Sequence, residues 1–352
     1  MKKLFFAIVA LAFVATSCSK DEAPEANQAV GATKTVTFAV NTPVMKTRLI
    51  LPHDGLGFSI DKLYYAFYEK VGDTYVRVDG ISSVSNTGVL TPISFSNYSS
   101  VELKPTLVVG KTYKAIFWAQ SSKAPYTVSM PTALENAVVN MNYYDPSKLI
   151  YEESDYNTEK YDAFYQMIDV VVTEDYDGDN VLLYRPFAQL NLAVLSSDQT
   201  AGLQAGVYVK SVKLSVKGAH NAFNLATGKA TGEQDVVFPW HAAGGAPSRI
   251  TDGDVSYYNY SVHYILLGAA ENSTPKELTN VTFEMSEIAD SASDCDADPD
   301  KIVRSYESVP VQSNYRTYIA GDVITGGATY NYTVQIDLNF DNEEEPTIHP
   351  AQ

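Results

Sequence analysis

Two cysteines, five histidines and 42 acidic side chains are the groups in this chain with the most chemical potential. Cys18 is the most telling of them. It closes MKKLFFAIVALAFVATSC, in which Lys2 and Lys3 form a basic start and Leu4 to Ala15 is an unbroken run of twelve apolar residues. That run is too short to span a bilayer, but it has the length of the apolar part of a secretory signal. The small residues Ala15, Thr16 and Ser17 then lead directly to the thiol. Small side chains before a cysteine suit a lipoprotein signal peptidase, and the thiol after the cut accepts a diacylglycerol. Cys18 is therefore the expected lipidation site, and residues 1–17 the signal peptide. Cys295 is left without an intramolecular partner. In the acidic stretch 290–300 it reads as a tolerated surface thiol with nothing to lower its pKa.

Catalytic constellations are weak. His53, His220, His241, His263 and His349 are scattered, with no H-x-x-x-H or H-E-x-x-H spacing for zinc. Gly-x-Ser-x-Gly, G-x-x-x-x-G-K and C-x-x-C are absent. Glu152 and Glu153 could act in glycoside hydrolysis, but a chain with 42 acids offers many such pairs. The expectation is no enzyme and no cofactor. Asp175, Asp177 and Asp179 alternate around Gly178, and Asp294, Asp296, Asp298 and Asp300 around Cys295, as carboxylates do in calcium loops. Position twelve of each loop is Pro186 or Ser305 rather than Glu, so both read as solvated acidic loops and no metal site is assigned. Trp118, inside AIFWAQ, belongs in a core. Trp240, in FPWHAAGG, reads as a loop residue and is the candidate glycan contact.

The formal charge is −17, and removing residues 1–17 leaves 23 Lys+Arg against 42 Asp+Glu. So acidic a surface repels phosphates, which argues against nucleic acid and against docking on anionic headgroups. Membrane attachment would rest on the acyl chains of Cys18.

These residues must be positioned by strands. Residues 18–32 are polar and acidic and read as a flexible tether. From Thr33 onward the apolar period is two: Val36, Phe38 and Val40 alternate with Thr35, Thr37 and Ala39. Further strands are expected at 63–68, 75–78, 112–119, 164–172, 181–184, 189–195, 207–216, 257–267, 281–285, 315–320 and 330–338, separated by Gly, Pro, Asn and Asp clusters. Short helices are expected at 130–140 and 198–205. The turn-rich DYDGDN marks a boundary near 180. A chain of 352 residues suggests roughly two domains of ~150 residues, here two β-sandwiches at 33–180 and 181–341, with an acidic tail at 342–352.

The stretch VPVQSNYRTYIAGDVITGGATYNYTVQID resembles the closing segment of the fimbrillin family, the lipoprotein pilins and adhesins of Bacteroidetes-type bacteria. Its matching positions are Pro310, Val311, Gln312, Asn314, Tyr315, Arg316, Thr317, Ile319, Gly321 and Thr325. DKLYYAFYE, YKAIFWAQ, YDAFY and VLLYRPFAQLNL are similar to segments of the same group, and Cys18 followed by SKDE resembles its surface-export signal. The resemblance implies an all-β chain of two tandem transthyretin-like antiparallel β-sandwich domains with one or two short helices. It also implies an outer-membrane lipid anchor, a cell-surface or fimbrial location, and a structural or adhesive role. Partners would be other fimbrial subunits or further copies joined by β-strand addition, besides host or bacterial surface ligands.

In polymerising members of the family a protease cuts after a basic residue beyond the first strand, and a strand of the next subunit fills the groove. Arg48 is the position matching that cut, with 33–48 the removable segment. The alternative is an uncut first strand with Arg48 in an ordinary loop. The tail NFDNEEEPTIHPAQ, with its prolines and charge, makes a poor donor strand. That fits a terminal, anchoring or non-polymerising relative, unless the strand at 329–338 is itself exchanged. A carbohydrate-binding outer-membrane lipoprotein of a glycan-uptake system is the rival reading.

Overall fold

A computed structural model of the chain describes residues 31–42, 60–84, 89–96, 100–142, 158–243, 249–252, 255–270, 273–289, 291–326, 332–337 and 347–349. Cys18 and Arg48 lie outside them. Within them the period-two segments become strands of mostly antiparallel sheets, with two short α-helices. No helix among the described residues is long and apolar enough to cross a membrane.

The strands Lys62–Val71, Thr112–Gln120 and Ala163–Val171 form the heart of the first large sheet, with Thr74–Arg77 and Ile93–Ser94 beside Lys62–Val71. Alternation sends Leu63 and Phe67 to one face and Ala66 and Tyr68 to the other. The Leu63 face closes on Phe38–Asn41, Val101–Leu103 and Asn180–Leu182, enclosing Phe38, Phe67, Phe117, Leu107 and Val181. Phe38 and Phe67 lie 5.3 Å apart between centroids, and Phe67 meets Phe117 edge to face at 6.3 Å. Such aromatic pairs add to the apolar burial.

In the second sandwich, one sheet runs Arg249–Asp252, Val255–Leu266, Phe187–Leu195, Arg316–Gly321, Tyr332–Asp337, Thr347–His349. Only the pairing of Phe187–Leu195 with Arg316–Gly321 is parallel there. Thr347–His349 belongs to the tail, so part of that acidic segment pairs as a short edge strand. The other sheet centres on Ser211–Asn224, flanked by Lys229–Ala242 and Val281–Ser286. Residues from before position 180 also enter it. Tyr126–Ser129 and Val138–Met141 form a hairpin whose second strand pairs with Ser211–Asn224, Val139 opposite Phe223.

The second face of the first sheet joins this core. Trp118 and Tyr165 meet Phe223 at 5.6 and 4.7 Å, and Tyr126 stacks on Phe187 at 5.8 Å. At the same junction Arg185, 2% exposed, donates from Nε to both oxygens of the fully buried Asp162 at 2.9 and 3.0 Å. Its guanidinium also lies 4.4 Å from the Phe164 ring centroid.

Three local differences from the sequence expectation have physical reasons. Residues 130–140 give a 3-10 turn, Leu134–Asn136, and the strand Val138–Met141 instead of a helix, since Ala133 provides no side-chain cap and two valines follow. The acidic stretch near Cys295 holds the helix Ala292–Ala297, capped by Ser291, whose side chain accepts from the Asp294 N–H. That helix buries Cys295 completely and turns its Sγ to the Ile288 carbonyl at 3.3 Å, so Cys295 is a core residue and not a surface thiol. Lys229–Ala242 is a fourteen-residue strand carrying Glu233, Asp235 and Pro239. Those residues hide it from a periodicity reading, yet an exposed sheet edge tolerates them.

Candidate functional site

The segment matching the removable strand of the resemblance is the best-defined structural slot. Thr33–Thr35 pairs antiparallel with Thr106–Val108, and Phe38–Asn41 pairs antiparallel with Val101–Leu103. On its other edge Phe38–Asn41 runs parallel to Asn180–Leu182. Irregular positions are bonded too: the N–H of Val36 donates to Pro105 O at 3.1 Å, that of Thr37 to Asp177 O at 2.8 Å and that of Ala39 to Asp179 O at 2.9 Å. Alternation turns Val36, Phe38 and Val40 inward, each at most 1% exposed. The first strand is thus an inner strand with both edges occupied along most of its length.

The first acidic loop is what holds its second edge. Gly178 has φ +118°, and a Cβ built on it would collide with the carbonyl oxygen of Thr37. Glycine is required there both for that conformation and for the close approach of two backbones. Lys34 donates from Nζ to Glu174 O at 2.6 Å and pairs with Asp177 at 2.9 Å. The Tyr176 hydroxyl donates to Asp179 at 2.5 Å; burial first, and then this bond, raise its pKa. These acids meet a lysine, a hydroxyl and backbone amides of the chain itself. The second acidic run does likewise: Asp296 accepts from Lys213 and from Trp240 Nε1, both at 2.8 Å, and Asp298 accepts from Ser286 at 2.6 Å. Among the described residues no cluster of three or more His, Cys, Asp or Glu is arranged to hold a metal.

Trp240 is placed differently from its expectation. It lies within the strand Lys229–Ala242 and is 2% exposed, with Lys213 Nζ 5.5 Å from its ring centroid. Its indole is built into the sandwich and offers no open face for a sugar. Trp118 lies in the core, donating to Gln120 at 2.7 Å.

The fimbrillin-like residues act as fasteners of the last strands. Asn314 adopts φ +65°, its N–H donates to Phe187 O at 2.8 Å, and its Oδ1 accepts from the Arg185 N–H at 3.4 Å. Thr317 donates to Pro310 O at 2.9 Å. Thr325 donates to Asp198 at 2.5 Å, while Asp198 also accepts from the N–H groups of Ile324 and Thr325 at 2.6 and 2.9 Å. Asp198 stands in the helix Ser196–Gln204, and no sequence motif singles it out.

A second group unseen in the sequence is His241, Ser261 and His263, all buried between the two sheets of the second sandwich. Ser261 Oγ lies 2.5 Å from His263 Nε2 and 3.2 Å from His241 Nε2. His241 Nδ1 faces the Pro239 carbonyl at 3.2 Å, which makes Nδ1 the protonated nitrogen and Nε2 an acceptor for Ser261. Ser261 in turn accepts from His263 Nε2–H, leaving His263 Nδ1 a lone pair with no partner among the described residues. Burial depresses the His241 pKa to about 4; burial and then the neighbouring His241 push that of His263 well below its ordinary value.

Comparison with known proteins gives likenesses of low identity. A candidate polysaccharide-binding protein from Bacteroides thetaiotaomicron is 10% identical, with 90% of this chain and 98% of that one covered and a TM-score of 0.43. A candidate adhesin from the same species is 11% identical, covering 88% and 97%, at 0.46. A fimbrial assembly protein from Parabacteroides distasonis is 10% identical, covering 90% and 99%, at 0.40. No curated protein matches the chain. A family model does match, over residues 31–349, and the chain accordingly belongs to the family of unknown function DUF6562.

Proposed function

We propose that this protein is a non-enzymatic surface lipoprotein, anchored through Cys18, that serves as a structural or adhesive subunit of a fimbrium. It receives a neighbouring subunit by β-strand addition in the slot now filled by Thr33–Thr35 and Phe38–Asn41. The observation that carries this reading is the first strand itself, bonded along both edges with Val36, Phe38 and Val40 buried beneath it. Burying such side chains stabilises by about 1.5–3 kcal/mol each, so a vacated slot is a strong binding surface as well as an aggregation hazard. A cut at Arg48 would free the strand from the body of the chain. The resemblance of residues 310–325 to the fimbrillin closing segment supports the same reading, as does the lipoprotein-type start. Membrane-bound and shed protein should be run unboiled on denaturing gels. SDS-resistant ladders that collapse on boiling support strand addition; a single monomer band under both conditions rejects it.

A further inference from the structure

The inward row of the first strand does not end in an apolar residue. Counting by twos from Val40 through Phe38 and Val36 reaches Lys34, at the edge of the core. Its ammonium group leaves the slot at the acidic loop, with Glu174 O at 2.6 Å and the Asp177 carboxylate at 2.9 Å. A lysine can do this because its aliphatic stem lies along apolar surface while the charge stays at the rim. The position is not free to slide. The Thr37 N–H is bonded to Asp177 O and the Ala39 N–H to Asp179 O, and the Thr37 carbonyl fits over a glycine that has no room for a Cβ. Backbone contacts therefore fix register, and register fixes which residue meets Asp177.

We infer that the incoming strand is selected by charge as well as by shape, and must carry Lys or Arg followed by apolar residues two, four and six positions later. The inference rests on the strand-addition reading above and names the partner chemistry of that slot. It also excludes the chain's own tail as the donor. Residues 338–352 contain no Lys or Arg, and three successive acids, Glu343, Glu344 and Glu345, carry the sign that an acidic loop repels. The donor is accordingly a strand with a basic residue at its leading end, and the lysine-bearing first strand is its stand-in.

The test uses the mature chain, cut after Arg48 with an arginine-specific protease, and labelled synthetic peptides. The parent peptide is ATKTVTFAVNT, the sequence of residues 32–42. Variants carry Lys34→Arg, Lys34→Gln or Lys34→Glu, and a further peptide reproduces 338–349. Exposed ion pairs contribute roughly 0.2–1 kcal/mol, so Lys34→Gln should weaken binding about two- to fivefold and Lys34→Glu about tenfold. Lys34→Arg should bind as the parent does, and the tail peptide should not bind. Asp177 is 90% exposed, so Asp177→Lys should leave the fold intact and reverse the order of the Lys34 and Lys34→Glu peptides. Parent and Lys34→Glu peptides binding equally, or an order unchanged in Asp177→Lys, overturns charge selection while strand addition stands. Failure of the parent peptide to bind overturns both.

Discussion

Gly178 and Thr37 approach so closely that no side chain fits between them: a β-carbon on the glycine would strike the Thr37 carbonyl oxygen. This contact joins the acidic loop to the first strand. Gly178→Ala combines a left-handed φ of +118° with that collision, and should cost at least about 2 kcal/mol. The loss should be local. Hydrogen exchange at the Val36 to Val40 amides should accelerate, while the amides of Phe187–Leu195 keep their protection. Equal acceleration in both would show that the loop does not act on the first strand in particular.

Arg185 and Asp162 are sealed together where the two sandwiches meet. Neither charge reaches water, so removing one strips the other of its ion pair inside the protein. Asp162→Ala should destabilise by about 3–5 kcal/mol. Replacing both by apolar residues of similar volume should cost much less. Chemical denaturation of the two variants checks this, and a double variant as unstable as the single one would contradict it.

His241 and His263 make stability depend on acid. Both folded-state pKa values lie below those of the unfolded chain, His241 at about 4 and His263 well down. Above the unfolded value near 6.5 neither state takes up a proton and the contribution is complete. Between about 6.5 and 4 the unfolded chain gains protons that the folded core refuses, and stability falls. The slope approaches about 1.4 kcal/mol per pH unit for each histidine. Urea unfolding across that range should show the fall, and His263→Leu should reduce its slope. A His263→Leu protein with the parent's pH dependence would contradict the assignment.

Much of the fold was legible because half-buried strands write their period into the sequence. Strands such as Thr112–Gln120 and Val281–Ser286 lie where alternation places them. What was hidden has one of two causes. The first half of the edge strand Lys229–Ala242 is largely exposed, so its composition there is free of the apolar rule. The hairpin ending in Val138–Met141 pairs with a strand more than seventy positions away, and no local pattern records such a partner. At the slot, Val36, Phe38 and Val40 were readable as one buried face. The role of the acidic loop was not, because Asp177 and Asp179 hold Thr37 and Ala39 through backbone carbonyls that any residue possesses, and the Lys34–Asp177 ion pair joins positions far apart in the sequence. Asp198 was invisible for a related reason: the three groups that donate to it belong to Ile324 and Thr325, on one distant turn.

Strand addition requires that the first strand give way to a strand of another subunit. Mass spectrometry of the protein recovered from assembled surface material tests it most directly. The expected chains begin at Leu49, having lost Cys18 and residues 33–48. Intact chains beginning at an acylated Cys18 and still holding their first strand would contradict it.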